Sequence, residues 1–113
     1  MKKAEAINLL NGKGQIVLNN QNTIFSNPGS SLDLWWLEPS NDKLKSGFYF
    51  VLNNSYTKKL LLFKIPKEEI DKSKFPQREE KGVSQIIIPV SDIEYVDRKG
   101  FNFTKYLVKE IDY

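Results

Sequence analysis

Residues 47–66, "GFYFVLNNSYTKKLLLFKIP", constrain the fold more than any other stretch of this chain. Successive side chains of a strand point to opposite faces. Phe48, Phe50 and Leu52 therefore line one face of a first strand, and Tyr49 and Val51 line the other. A return strand puts Leu60 and Leu62 on one face and Leu61, Phe63 and Ile65 on the opposite one. Residues 53–58 are short and polar enough for the hairpin loop between them. A hairpin with one wet side would alternate apolar and polar residues, whereas these two strands are apolar on both faces. The pair belongs at the centre of a sheet that is covered above and below.

The rest of the chain supplies the cover. Ala6, Ile7, Leu9 and Leu10 among polar residues predict a short amphipathic helix over 2–10, stopped by Asn11-Gly12. "QIVLNNQNTIF" reads as two short strands about an Asn-rich turn, because Asn tolerates left-handed backbone. "QIIIP" at 85–89 is another fully buried strand. "LDLWWLEP" at 32–39 is a strand ended by Glu38-Pro39, since Pro lacks the donor that a ladder uses. On it Leu32, Leu34 and Trp36 form a continuous apolar face, which predicts Trp36 in the core. Asp33, Trp35 and Leu37 form a mixed face, which predicts Trp35 as the ring open to a partner.

"FKIPKEEID" and "IIIPVSDIE" share a strand exit followed by Pro and acidic residues, the pattern of a helical first turn, and Ser91 to Glu94 fits a capping box. The polar run "DKSKFPQREEKG" predicts a mobile connector over 71–82. At the C-terminus Phe103, Leu107 and Ile111 match a helical stripe, while the aromatic and β-branched content would tolerate a strand; a short helical turn is expected near 103–108. Together these readings predict one α+β domain over 1–113, with short helices, one of them N-terminal. Its sheet is expected to be twisted and mainly antiparallel, with about five or six strands. The core should include Ile16, Leu34, Trp36, Phe48, Phe50, Val51, Leu61, Phe63, Ile87 and Leu107.

Composition removes several kinds of chemistry. The chain has no His, which excludes Ser-His and Cys-His nucleophilic catalysis and nearly all zinc sites. It has no Cys, so disulfides and thiol chemistry are excluded too. "NGKGQ" has glycines without the spacing of a phosphate loop, and no cofactor motif occurs. The Ser-x-x-Lys matches Ser40–Lys43 and Ser55–Lys58 fall in expected loops rather than opening a helix. "MKKAEAINLL" begins like a signal peptide, but Glu5 and Asn8 interrupt it, and no apolar run is long enough to span a membrane. A cytoplasmic protein without membrane contact is expected. Many Lys, Asn and Ile with few Arg suggest an AT-rich, bacterial or viral genome.

The stretches "LDLWWLEP", "GFYFVLNN" and "KKLLLFKIPKEEI", about half the chain, resemble the later strands of restriction-endonuclease-like, or PD-(D/E)XK, domains. That family holds a metal on an Asp followed by an acid-x-Lys triplet on a strand. The resemblance implies Asp33 as the first acid and the only metal-ligand candidate. The triplets present, Glu79-Glu80-Lys81 and Asp97-Arg98-Lys99, each precede a glycine in a turn, and Glu38 is followed by Ser40 rather than by Lys. The family's catalytic site is therefore not carried over, and the resemblance implies an inactive relative or an accessory fragment, with a metal-dependent nuclease as the third reading.

Net charge is +3, and of 17 basic residues only Arg78 and Arg98 are Arg. Aromatic rings interleaved with Lys can stack bases and neutralise phosphates. The binding candidates are Trp35, Tyr56, Lys58 and Lys59 around the hairpin, with Arg78 and Lys81 in the polar connector. The leading expectation is a non-catalytic module associated with nucleic acid in a bacterial mobile-element or defence setting. A protein-interaction or homodimerisation domain, joined through a sheet edge or the Trp35 face, is the alternative.

Overall fold

A computed structural model describes residues 1–13, 16–29, 33–90 and 94–113. In chain order the elements are α1 (Lys3–Asn11), β1 (Thr23–Ser26), β2 (Leu34–Leu37), α2 (Asn41–Ser46), β3 (Phe48–Asn54), β4 (Lys59–Ile65), β5 (Gln77–Arg78), β6 (Val83–Ser84), β7 (Ile86–Pro89) and β8 (Leu107–Asp112). Single 3-10 turns lie at Lys72–Lys74 and Thr104–Tyr106. The domain is α+β, as the sequence predicts. The strands divide into a four-stranded sheet of order β1-β3-β4-β8 and two two-stranded sheets, β2-β7 and β5-β6. All pairings are antiparallel except β1 with β3.

The hairpin lies at the centre of the large sheet, in the register that its alternation predicts: Phe50 faces Phe63, Leu52 faces Leu61 and Phe48 faces Ile65. These six residues, with Trp35 and Leu37 of β2 and Ile86 and Ile88 of β7, form one core layer. Aromatic rings fill it: Phe50 stacks on Phe63 at 4.5 Å and meets the edge of Phe103 at 5.4 Å. On the other face Val51, Leu60, Leu62 and Ile111 pack beneath Ala6, Ile7 and Leu10 of α1 and beneath Leu18. A nine-residue helix is marginal in water by itself, so burial of this stripe holds α1 in place. The result is three layers: α1, the four-stranded sheet, and the β2–β7 pair.

The structure reverses the two tryptophans. Trp35 is 1% exposed and Trp36 is 50% exposed. The inward face of β2 is Trp35 and Leu37, opposite Ile88 and Ile86. The mixed face looked polar only because of Asp33, which lies before the strand begins. Since the side-chain period is two, one wrong choice of face inverts every residue. Of the expected core, Phe48, Phe50, Val51, Leu61, Phe63 and Ile87 are buried, whereas Ile16, Leu34 and Leu107 are only partly so.

Other differences have local causes. Residues 16–18 make no strand, because the Asn11 side chain takes both backbone groups of Leu18, accepting from its N–H at 2.8 Å and donating to its carbonyl at 3.0 Å. Ser40, expected in a loop, caps α2 by accepting from Lys43 N at 3.2 Å. The C-terminal helical turn is a single 3-10 turn leading into β8, which fills the edge of β4. Phe103 belongs to one core layer and Ile111 to the other, so their spacing is not a helical stripe. Within the 71–82 segment Phe75 is buried, and Gln77 and Arg78 pair with Ser84 and Val83. The capping box at 91–94 lies mostly outside the described residues. No helix among the described residues is long and apolar enough to cross a membrane.

Candidate functional site

The predicted binding residues fall into two groups at opposite ends of β2. At the hairpin end, the turn 55–58 is shaped by Asn54, whose Oδ1 accepts from Tyr56 N and Thr57 N at 3.2 and 3.3 Å. Tyr56 donates its hydroxyl to Asp33 Oδ1 at 2.5 Å, which raises the phenol above its ordinary range. Asp33, Asn54, Tyr56, Thr57 and Val90 line an open depression of about 260 Å³. Lys58 lies over the Tyr113 ring at 6.0 Å. Lys59 pairs across the strands with Asp112 at 3.0 Å and with Glu110 at 3.4 Å, and hydrogen bonds to both raise its pKa.

Trp35 belongs to this end as a buttress. Its Nε1–H donates to Asn53 O at 2.9 Å, and Tyr113 donates its hydroxyl to Asn53 Oδ1 at 2.5 Å. Asn53 Nδ2 donates in turn to Asn27 Oδ1 at 2.8 Å. A buried ring with its one donor satisfied has nothing to offer a partner, which removes Trp35 from the interface.

At the other end, Arg78 is bracketed by carboxylates. It meets Glu38 at 3.0 Å and Glu80 at 3.2 Å, and these hydrogen bonds raise its pKa. Gln85 also donates to Glu38, at 3.4 Å. Burial acts to raise the Glu38 carboxyl, but the hydrogen bonds from Arg78 and Gln85, with the charges of Arg78 and Lys81, outweigh it and lower its pKa. Lys81 is exposed in the turn between β5 and β6. The two groups are separated by the run from Asp33 to Glu38, about 16 Å at the rise of a strand.

Between them lies the outer face of β2–β7, which carries residues that sequence reasoning placed elsewhere. Trp36 stands opposite Ile87. Both backbone groups of Ile87 point away from β2: its N–H donates to Asp97 Oδ2 at 2.8 Å and its carbonyl accepts from Arg98 N at 2.9 Å. The N–H of Trp36 likewise turns outward, to Ser26 Oγ at 3.0 Å. Trp36 and Ile87 are therefore a non-hydrogen-bonded pair, in which side chains approach most closely. Ile87 is 3% exposed, whereas the Trp36 side chain beside it is half-exposed. Buried Asp97 also accepts from Lys99 N at 2.6 Å, fixing the turn that presents exposed Arg98 and Lys99 beside β7. That turn lies two strand spacings from Trp36, about 10 Å. Glu38, two residues beyond Trp36 on the same face, brings Arg78 to its other flank. The available signal was the Asp-Arg-Lys-Gly turn, with two cations following a potential turn-forming Asp.

Asp97 thus uses both carboxylate oxygens on backbone N–H groups, and Asp33 uses one on Tyr56. Among the described residues no group of three or more carboxylates converges as a metal cluster. Lys43 of the Ser40–Lys43 match turns its ammonium to Gln21 O rather than to Ser40. The class that the fold defines is a small α+β domain. No family model, curated protein or solved structure matches the chain.

Proposed function

We propose that this chain is a non-catalytic binding module that associates with single-stranded nucleic acid through the outer face of β2–β7. The observation that carries the reading is the half-exposed Trp36 ring on β2, with exposed Lys81 beyond the Glu38 end and exposed Arg98 and Lys99 beside β7, while Arg78 is held by Glu38 and Glu80. A base can stack on the exposed part of the indole, which is sequence-tolerant because every base has a π-face. The flanking cations then neutralise phosphates. A duplex hides its bases, so the ring favours single strands. Association with a bacterial mobile element or defence system is part of the same proposal and rests on composition and on the endonuclease-like resemblance.

The test is fluorescence titration with a dT oligonucleotide at two salt concentrations. Trp36 is the exposed tryptophan, so stacking is expected to quench its emission while buried Trp35 gives a protected background. Trp36→Ala is expected to weaken binding about 5- to 150-fold, the loss of one stacked base. Tight binding that is indifferent to salt, or unchanged in Trp36→Ala, refutes the reading. One observation favours a protein partner instead: Trp36 adjoins partly exposed Leu34, and Trp is a frequent interface anchor. A dimer in light scattering that Trp36→Ala dissociates, with no oligonucleotide binding, would establish that alternative.

A further inference from the structure

The Asn19–Asn22 turn before β1 collects cations from both helices. Lys3, in the first turn of α1, donates from its ammonium to Asn20 O at 3.0 Å. Lys43, in α2, donates to the next carbonyl, Gln21 O, at 2.5 Å. Both side chains are half-buried. Burial, and then the charge of Lys43, push the Lys3 ammonium below the usual lysine range. Neither joins an ion pair among the described residues, where the four ion pairs all use Lys59 or Arg78. The carboxylates on the same helices, Glu5 and Asp42, are exposed and pair with neither.

Carbonyl oxygens steady an ammonium without neutralising it. Each ammonium keeps two further N–H donors, so the turn holds two like charges together with donors unused. Exposed Lys64 and Lys67 line an open cleft of about 210 Å³ on the same turn, together with Asn22 and Tyr49. Bringing like charges into a partly buried place is unfavourable. An anion between them converts that repulsion into charge-assisted hydrogen bonds.

We propose that the Lys3–Lys43 pair, with Lys64 and Lys67 across the Asn20–Asn22 turn, is a binding site for a phosphate oxyanion. The chemistry is the same for a free phosphate and for a phosphodiester of a nucleic-acid strand, and the second source rests on the function proposed above.

Calorimetry with inorganic pyrophosphate tests the site, with sodium chloride at matched ionic strength as the reference. Lys3→Met and Lys43→Met are each expected to weaken pyrophosphate about tenfold or more, the loss of one charged hydrogen-bonding partner. Exposed Lys105→Met should leave affinity within about twofold. In phosphate-free, low-salt buffer both site variants should melt at or above the wild type, because a like-charge contact has been removed. Because the two substitutions lie on different helices, either suffices if the other fails to fold. In the wild type, pyrophosphate should shift the amide resonances of residues 20–22. Unchanged affinity in the variants, an effect that sodium chloride reproduces, or shifts that avoid the turn would each overturn the site. A dT oligonucleotide then separates the sources. Weaker oligonucleotide binding in both variants assigns the site to a phosphodiester; unchanged oligonucleotide binding with pyrophosphate lost assigns it to free phosphate. Loss of pyrophosphate binding in the variants stands even where Trp36 shows no quenching, so the two proposals fail separately.

Discussion

Exchanging each tryptophan for phenylalanine tests the face assignment of β2 on which the functional reading depends. Trp→Phe removes about three heavy atoms and the indole donor, and about 0.8 kcal/mol is lost per buried CH₂-sized group. Trp35 is 1% exposed, so the transfer loss applies in full, about 2.4 kcal/mol. Asn53 O also loses the Nε1–H donor at 2.9 Å, about 1 kcal/mol more. The expected cost of Trp35→Phe is therefore about 3 kcal/mol. Trp36 is 50% exposed and its indole N–H has no protein acceptor among the described hydrogen bonds, so about half the transfer loss applies and Trp36→Phe should cost about 1 kcal/mol or less. For a domain of this size these costs correspond to drops in Tm of about 13 °C and about 4 °C. Urea unfolding followed by circular dichroism measures both, because it does not depend on the fluorophore being removed. Emission gives an independent check: the Trp35→Phe variant retains the exposed ring and should be quenched by iodide, and the Trp36→Phe variant should be protected. Equal costs, or a larger cost at Trp36, would refute the assignment and with it the stacking platform.

Two further perturbations probe the scaffold. Gly47 has φ +84°, and a Cβ there would lie 3.0 Å from Ile65 O and Lys67 N, so Gly47→Ala should cost at least about 2 kcal/mol in urea unfolding. Gly82→Ala, at φ +64° with open space around it, should cost about 1 kcal/mol, and equal costs would show that the α2–β3 joint is not tight against the end of β4. The Glu38–Arg78 pair should contribute below about 1 kcal/mol, because the side chains are 30% and 34% exposed and solvent screens them. Burial raises the Glu38 carboxyl, but its hydrogen bonds and neighbouring cations bring it below the ordinary 4.5. Its contribution is therefore fully present above that value and is lost as pH falls through the lowered one. Urea midpoints from about pH 6 to pH 3 should converge between wild type and Glu38→Gln, and a gap that widens on acidification would contradict the pairing.

What was legible in the sequence follows the range of the interactions. The β3–β4 hairpin could be read because its partners are adjacent in the chain and its apolar runs mark both faces. The α1 stripe and β7 were legible for the same reason, each bringing enough apolar residues to declare its burial. The parallel pairing of β1 with β3 and the addition of β8 to β4 are set by edges that exist only after the hairpin forms. Aromatic and β-branched content at 101–113 was compatible with either helix or strand, and the free edge of β4 decided. At β2 the strand is four residues long, too short for alternation to choose a face. Of the candidate binding residues, Asp33 and Tyr56 meet directly, but Lys59 and Arg78 hold carboxylates, which charge counts alone cannot reveal. Trp36, Arg98 and Lys99 come together only through the backbone bonds of Ile87 and Asp97, groups ten residues apart.

β1 connects the two proposed contacts. Its last residue, Ser26, accepts from Trp36 N, and the turn before its first residue carries the carbonyls that hold Lys3 and Lys43. From Gln21 to Ser26 the backbone spans at most about 16 Å, so a lone phosphate fills one site and an oligonucleotide can reach both. The two contacts also differ in physical signature. Stacking on Trp36 releases no counterions, so its removal lowers affinity at every salt concentration without changing the slope. Each ammonium–phosphate contact contributes about 0.7 to the slope of log affinity against log salt on a single strand. Loss at Lys43 should flatten that slope, and loss at Trp36 should not. A strand that bridges both sites would therefore show one variant shifting the binding line and the other rotating it, a pattern that a nonspecific attraction to net charge +3 cannot produce.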